Sequence, residues 1–466
     1  MSKEDLTIAG GAIGTGDLRF PDEREAFENE LEAYYGAPPL DIVAWERELH
    51  AQSRAHPDWS PFRRKILGYE FMAERCPVHV FRHCPFFFEI NTGRPRTDLG
   101  TGGLGGWLKR EPFGEALTAS SGQWWAPCRE SGLSFGWTVL DDNHHTVSYG
   151  KVLRLGLRGI IREIEGEADR AETEEERDFL AAAIAGNRAL IRIAERFAGD
   201  AERQIAGEED PAVRRRLALA AATARRVPAE PAATFHEALN AILFLFYVLP
   251  SVEGNGISVF GHVDRLLFPF YQADREAGRL TPDEARDAVS FFLAISDARY
   301  GMRRAAPGHV GTNGTVTLGG CDREGAPVFN AVTRLFLEQH RDLRLIDPKV
   351  NARVSARHQE AYVSLLSDFT AAGGNSLALF NDDVVIPANV RMGKAPEDAR
   401  LYVGGGCQEN VLEECEVNSR ATLYLNLLHV FLMGFFPEKG AFFFGRAGLE
   451  LARYDGCSTY DALHGA

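Results

Sequence analysis

Apolar residues recur every three to four positions between about residue 22 and residue 75 (REAFENELEAYYG, then VAWERELHAQSRA), with Pro38-Pro39 as punctuation. That period predicts short amphipathic helices. The same period in KVLRLGLRGIIREIEGEADR predicts a further helix. TEEERDFLAAAIAGNRALIRIAERFAGDAERQIAG, rich in Ala, Glu and Arg, predicts a long, largely solvated helix or helix pair. After Pro228 and Pro231, FHEALNAILFLFYVLP is apolar all round from Ala241 to Leu249 and predicts a buried helix. Residues 76–140 carry Phe86-Phe87-Phe88, Trp107, Trp124-Trp125, Phe135 and Trp137 among Gly and Pro. Such a stretch is either irregular backbone anchored on a core by aromatic rings or the lining of a small-molecule pocket.

The pattern changes in the second half. Short β-type runs (GISVF, GTVTLGG, RLIDPKVNARV, SLALFND, LYVGGG) alternate with the helical segments TPDEARDAVSFFLAIS, NAVTRLFLEQHRD and HQEAYVSLLSDFTAAG. The alternation predicts an α/β fold with parallel strands covered by helices, as an open sheet or a barrel wall. In both, chemistry gathers in loops after the carboxyl ends of strands.

Composition narrows the partners. The chain has 466 residues, 45% hydrophobic and 25% charged, so a sizeable core is available. A net charge of −15 argues against nucleic acid or an anionic membrane surface as partner. The amino terminus (MSKEDLTIAGG) lacks a charged-then-apolar signal pattern, and no uninterrupted apolar run reaches membrane-span length. The expectation is a cytoplasmic protein. The seven cysteines are odd in number and widely spaced without a CxxC pair, which disfavours a disulfide framework or a cysteine zinc site. No HExxH-like spacing accompanies His144-His145, so no metal site is expected.

One stretch stands out, Tyr402-Val-Gly-Gly-Gly-Cys-Gln-Glu409. Three glycines permit a tight, closely approached loop presenting the Cys407 thiol, with the Glu409 carboxylate two residues on. An isolated cysteine is more often buried and inert, so the loop alone does not decide between a structural and a chemical thiol.

Several stretches together resemble the glycyl radical enzymes of the pyruvate formate-lyase superfamily. They are Val259-Phe-Gly-His-Val-Asp264-Arg265 with Leu-Leu-Phe-Pro-Phe-Tyr271 following, Thr317-Leu-Gly-Gly320, Asp347-Pro348-Lys349, Leu379-Phe-Asn381-Asp382, and Ala399-Arg400-x-Tyr402 leading into Gly406-Cys407-Gln-Glu409. His262 stands where the family usually has Arg. The resemblance begins at about residue 145 and runs to the last residue. It implies an N-terminal helical region over 1–230 and, over 231–466, the first half of a ten-stranded α/β barrel with the cysteine on a finger loop at 402–410. It further implies that Cys407 becomes a thiyl radical and that Glu409 acts as acid or base. Asn381, Asp382, His145 and Arg420 become substrate-binding candidates, Arg420 as a partner for an anionic group. Gln408 disfavours formate–acetyl transfer, because the second cysteine of formate C-acetyltransferases is absent. Arg420-Ala421 replaces the His-Asp pair of the diol eliminases and puts ordinary diol dehydration in doubt.

The family's radical glycine lies in an Arg-Val-x-Gly-Tyr-like segment well beyond the cysteine, and no such segment occurs here. The expectation is therefore no cofactor bound in this chain. A glycyl radical would come from a C-terminal segment or a partner chain, installed by a radical S-adenosylmethionine, iron-sulfur activase. The predicted function is thiyl-radical cleavage of a C–C or C–heteroatom bond in a small metabolite, with Arg420 pointing to an anionic one. An arylacetate-type decarboxylase, a formate C-acetyltransferase-like enzyme and a catalytically silent interaction subunit are the alternatives. A partner chain carrying a second half-barrel, or a homo-oligomer, would cover the sheet edge that a half-barrel leaves open.

Overall fold

The computed structural model describes residues 19–38, 40–93, 103–108, 134–135, 145–254, 256–301, 314–374, 376–406, 408–416, 424–428 and 459. It divides into two units, one formed by 1–112 with 143–418 and the other by 113–142 with 419–466. In the second unit, β3 (Ser134–Phe135) pairs antiparallel with β10 (Tyr424–Leu425). The remaining elements belong to the first unit. The boundary anticipated near residue 230 falls inside it, and a single hydrophobic cluster joins helical residues such as Phe27 and Phe197 to sheet residues such as Val316 and Val350.

The helical region opens with α1 (Phe20–Gly36), α2 (Val43–Arg54) and α3 (Pro61–Arg75), then a hairpin of β1 (Val78–His79) and β2 (Glu89–Ile90) and a short α4 (103–108). Phe86, Phe87, Phe88 and Trp107 are all buried in the core. Trp124, Trp125 and Trp137 lie outside the described residues. The predicted helix after His145 forms as α5 (Tyr149–Glu167), but it is broken at Gly156, where φ is +63°. Its break admits the segment 228–232: Leu157 N and Arg158 N donate to the carbonyls of Pro228 and Ala229, at 2.8 and 3.0 Å. A Cβ at 156 would sit 2.5 Å from the Ala229 oxygen, so only glycine fits.

The Ala-rich run is one helix, α6 (Glu174–Gly207), started by a capping box of Thr173 and Glu176. It is less solvated than its composition suggested, because Ile193, Ala194, Phe197, Ala198 and Ala201 are buried along one face. Next come α7 (Pro211–Ala224) and α8 (Phe235–Glu253). The latter is long and apolar enough to cross a membrane, yet 94% of its apolar window is buried inside the protein. It is the core helix: Phe246 stacks on Phe260 at 3.6 Å, and Asn240 clamps Phe87 through both its amide atoms, at 2.9 and 3.3 Å.

The α/β half follows as β4 (Val259–His262), α9 (Val263–Glu276), α10 (Pro282–Gly301), β5 (Thr315–Gly319), α11 (Ala331–Leu343), β6 (Lys349–Val354), α12 (Glu360–Ala371), β7 (Leu377–Asn381), α13 (Asp382–Arg391) and α14 (Pro396–Ala399). The four strands form one parallel sheet in the order β4-β5-β6-β7. His145 extends it by a single parallel bridge to Ile257, a rudiment of a fifth strand. Side chains alternate across this sheet. Val316, Leu318, Val350 and Ala352 join the helical core, leaving Thr315, Thr317, Asn351 and Arg353 on the opposite face.

The LYVGGG run departs from expectation. It forms β8 (Tyr402–Gly404), which pairs antiparallel with β9 (Asn410–Leu412) as a separate hairpin instead of extending the parallel sheet. Polar side chains on the inner face of the sheet offer this backbone donors that a neighbouring strand would otherwise supply.

Asn240→Ala strips both partners from the buried Phe87 amide and carbonyl. An expected loss of about 2–4 kcal/mol in unfolding free energy follows, measured as a lowered urea midpoint. A change within ~0.5 kcal/mol, the range of ordinary surface substitutions, would show that the clamp is not holding this aromatic segment.

Candidate active site: a cysteine-loop hairpin held against the sheet

The hairpin is fixed by side chains that reach its backbone carbonyls. Thr315 Oγ1 and Asn351 Nδ2 both donate to Gly404 O, at 2.9 and 3.0 Å. Arg353 donates to Tyr402 O at 3.1 Å, and Lys349 Nζ to Gly406 O at 2.7 Å. Lys349, Asn351 and Arg353 alternate along β6, so one strand face meets successive positions of the finger. Val403 and Val411, partners in the hairpin, pack on Val259 in a small cluster of their own. Gly404 is the residue of closest approach. A Cβ there would lie 2.5 Å from Asn351 Nδ2 and 2.7 Å from the Phe380 ring. Beyond it the turn closes tightly: Gly405 N donates to Glu409 O at 2.6 Å and Gln408 N to Gly405 O at 3.1 Å. Gln408 adopts φ +76°, a left-handed conformation uncommon outside glycine.

Cys407 lies outside the described residues; Gly406 and Gln408 on either side of it are described. Glu409 is half-buried immediately before β9. Arg420 also lies outside the described residues. His145 is half-buried, and its main chain bonds to Gly256 and Ser258 beside β4. Asn381 is exposed and caps α13, accepting from Asp383 N at 3.0 Å. Asp382 is buried and bound to Arg353 through both oxygens at 2.9 Å, with Tyr402 OH donating to it at 2.7 Å. Its carboxylate is committed to holding β6, β7 and β8 together, and the structure thus places Asn381 and Asp382 in structural contacts.

A second anchor, not marked by any sequence pattern, lies where the hairpin leaves the sheet. Glu413 is fully buried, pairs with Arg265 and accepts from His262 N at 3.1 Å. Burial outweighs the Arg265 attraction and raises its carboxyl to about 7. Asp264, also buried, accepts from Gly319 N at 2.8 Å and Thr333 Oγ1 at 2.7 Å, and burial raises it to about 6. Burial, reinforced by Arg265 and Arg353, holds His262 well below its ordinary value. The ring is therefore neutral, and its Nε2 lies 2.5 Å from Gly319 O as a donor. Glu413 sits in a run with Glu409, Glu414 and Glu416, and nothing local marks which one is buried.

Among the described cysteines none is activated. Burial raises Cys76 to about 12 and also pushes up Cys84, Cys321 and Cys415. Among the described residues no group of three or more His, Cys, Asp or Glu side chains could hold a metal ion.

The helical region, the parallel sheet and the hairpin laid on its polar face form an arrangement that recurs in known proteins. A model of the pyruvate formate lyase-like family matches residues 106–465, and the chain belongs to that family. The chain is 32% identical over 292 residues to an isethionate sulfite-lyase of Nitratidesulfovibrio vulgaris, covering 60% of this chain and 35% of that protein. It is 26% identical over 302 residues to a (2S)-3-sulfopropanediol dehydratase of Klebsiella oxytoca, covering 61% and 36%. A solved structure concerned with 1,2-propanediol dehydration in Roseburia inulinivorans superposes with a TM-score of 0.76 at 21% identity, covering 95% of this chain and 61% of that one. It shares the fold. The chain thus spans about a third of the length of the curated relatives it matches.

Two outcomes test the anchors. Asp382→Ala leaves the Arg353 charge buried and unpaired, an expected loss of about 3–5 kcal/mol; equilibrium unfolding that moves by less than ~1 kcal/mol would deny the pair its role. Glu413 binds its proton more tightly folded than unfolded, so its contribution is full below its ordinary value of 4.5 and is lost as pH rises to about 7. Stability should fall by up to about 3 kcal/mol across that window, and Glu413→Gln should flatten the fall. An equal decline in the variant would assign it to other groups.

Proposed function

We propose that this chain is the cysteine-bearing part of a glycyl radical lyase that cleaves a C–C or C–heteroatom bond in a small metabolite. The observation that carries this reading is the hairpin: four inward side chains, Thr315, Lys349, Asn351 and Arg353, fix the carbonyls of Tyr402, Gly404 and Gly406. A loop that delivers a radical needs this kind of fixed backbone, because hydrogen transfer falls off steeply with misplacement. A glycyl radical, once installed by a radical S-adenosylmethionine activase, would supply hydrogen abstraction at the Cys407 thiol. Glu409 then exchanges a proton with the substrate as acid or base. The strand part of the hairpin is dry, with Val403 and Val411 packed on Val259 and Tyr402 to Gly404 buried against the polar face of the sheet.

The relatives named for isethionate and sulfopropanediol favour cleavage or elimination over acyl transfer, and Gln408 in place of a second cysteine points the same way. The same reading assigns a role to β7, the last strand of the sheet. Leu379 on it is 63% exposed, and Val384 on the adjoining α13 is 59% exposed. A second half-barrel pairing with this edge would cover both.

After anaerobic activation with the activase and any polypeptide completing the barrel, Cys407→Ser should retain the radical's electron paramagnetic resonance doublet and lose turnover completely. Glu409→Gln should keep the doublet and lose at least ~100-fold in kcat. Full turnover by Cys407→Ser would sink the mechanism.

A further inference from the structure

A cavity of about 790 Å³ opens beside the tip of the cysteine hairpin, bounded by Gln408, by the residues entering β6 and β7, and by the end of α11. Its charged lining is unbalanced. Arg341, Arg344 and Lys349 face it, and among the described residues Asp347 is the one carboxylate in its wall. Arg341 is held by its neighbour Asp342 at 2.9 Å, and Lys349 by Gly406 O at 2.7 Å. The guanidinium of Arg344 has no carboxylate partner among the described residues. In a chain of net charge −15, an excess of cations in one cavity stands out.

The backbone under Arg344 is a second, separate observation. Arg344 caps the carboxyl end of α11 at φ +54°, ψ +46°, a left-handed position at which helices usually carry glycine. A long side chain is disfavoured there, and such strain recurs where a side chain is needed at one place. His340 adds no charge, because burial lowers it and its ring bonds to Pro348 O at 2.9 Å. Phe369 and Leu377 add apolar surface to the wall, beside Ser376. Cationic and apolar side chains lining one cavity beside the hairpin suit a short organic chain ending in an oxyanion.

We propose that this cavity docks the sulfonate or carboxylate end of a small organic substrate, with Arg344 as the residue that selects for the anion. The assignment rests on the reading that the adjacent Cys407 loop is the reacting centre. Lys349, bound to the loop at Gly406, couples the docked end to the hairpin. An oxyanion bound by Arg344 leaves its carbon chain to the apolar side chains of the same cavity.

Calorimetric titration of the full chain with ethanesulfonate, with propionate and with 1-propanol as the neutral control tests the assignment. One or both anions should bind saturably and at least 10-fold more tightly than the alcohol, and the stronger of the two identifies the headgroup. Arg344→Gly, which suits the left-handed backbone and so preserves the fold, should weaken binding at least 10-fold. Arg323→Gln, whose ion pair with Asp398 lies outside the cavity, should leave it unchanged. Failure of both anions to bind, equal binding of the alcohol, or unaltered binding by Arg344→Gly would overturn the proposal. Because binding needs no radical, these results stand whether or not Cys407 proves catalytic. In an activated enzyme Arg344→Gly should raise KM with kcat retained; an unchanged KM would also overturn it.

Discussion

Arg353 is the residue on which the sheet and the hairpin jointly depend. It is wholly buried, and its guanidinium satisfies both oxygens of Asp382, the Tyr402 carbonyl and, at 3.7 Å, the Cys321 sulfur. It also lies 4.0 Å over the Tyr402 ring. A buried guanidinium is tolerable only when its donors and charge are both answered. Here the answering groups come from β7–α13 and from the hairpin, so the charge cannot be satisfied unless three segments distant in sequence meet.

The hairpin departs from the usual economy of an α/β sheet, in which backbone pairs with backbone. Its carbonyls are met by Thr, Asn, Arg and Lys side chains projecting from parallel strands. That arrangement lets a loop lie across a sheet face instead of along its edge. It also leaves Thr317 Oγ1 and Asn351 Oδ1, on register partners, buried without a hydrogen-bond partner in the described structure. Such unused capacity is uncommon in protein interiors. The second anchor, Glu413 with Arg265 and His262 N, holds the other end of the hairpin, so the turn bearing Cys407 is gripped at its base on both strands.

Much of this was legible in the chain. The period of apolar residues located α5, α6 and α8, and the strand–helix alternation located β4 to β7, because each of these elements buries one continuous face. The family was legible from motifs in order, and the matched model over residues 106–465 agrees with it. The break in α5 was not legible, since a single glycine in a helical pattern is usually tolerated and only the approach of the 228–232 segment makes it obligatory. Nor was the solvation of α6, whose alanines look neutral until α3 and α7 cover them. Asn381 and Asp382 resembled binding residues in sequence, and in space they cap a helix and neutralise an arginine.

The sequence by itself determined the class of fold, the cysteine loop and the type of chemistry it resembles, because periodicity and motif are local properties of the chain. Tertiary structure decided which polar side chains carry the site. Lys349, Asn351 and Arg353 look like any alternating polar positions of a strand, and Glu413 looks like one acid among several. Their roles come from burial and from contacts with residues some 50 to 150 positions away, as between Arg353 and Tyr402 or Arg265 and Glu413. A one-dimensional pattern encodes neither, since burial depends on what the rest of the chain brings against a residue.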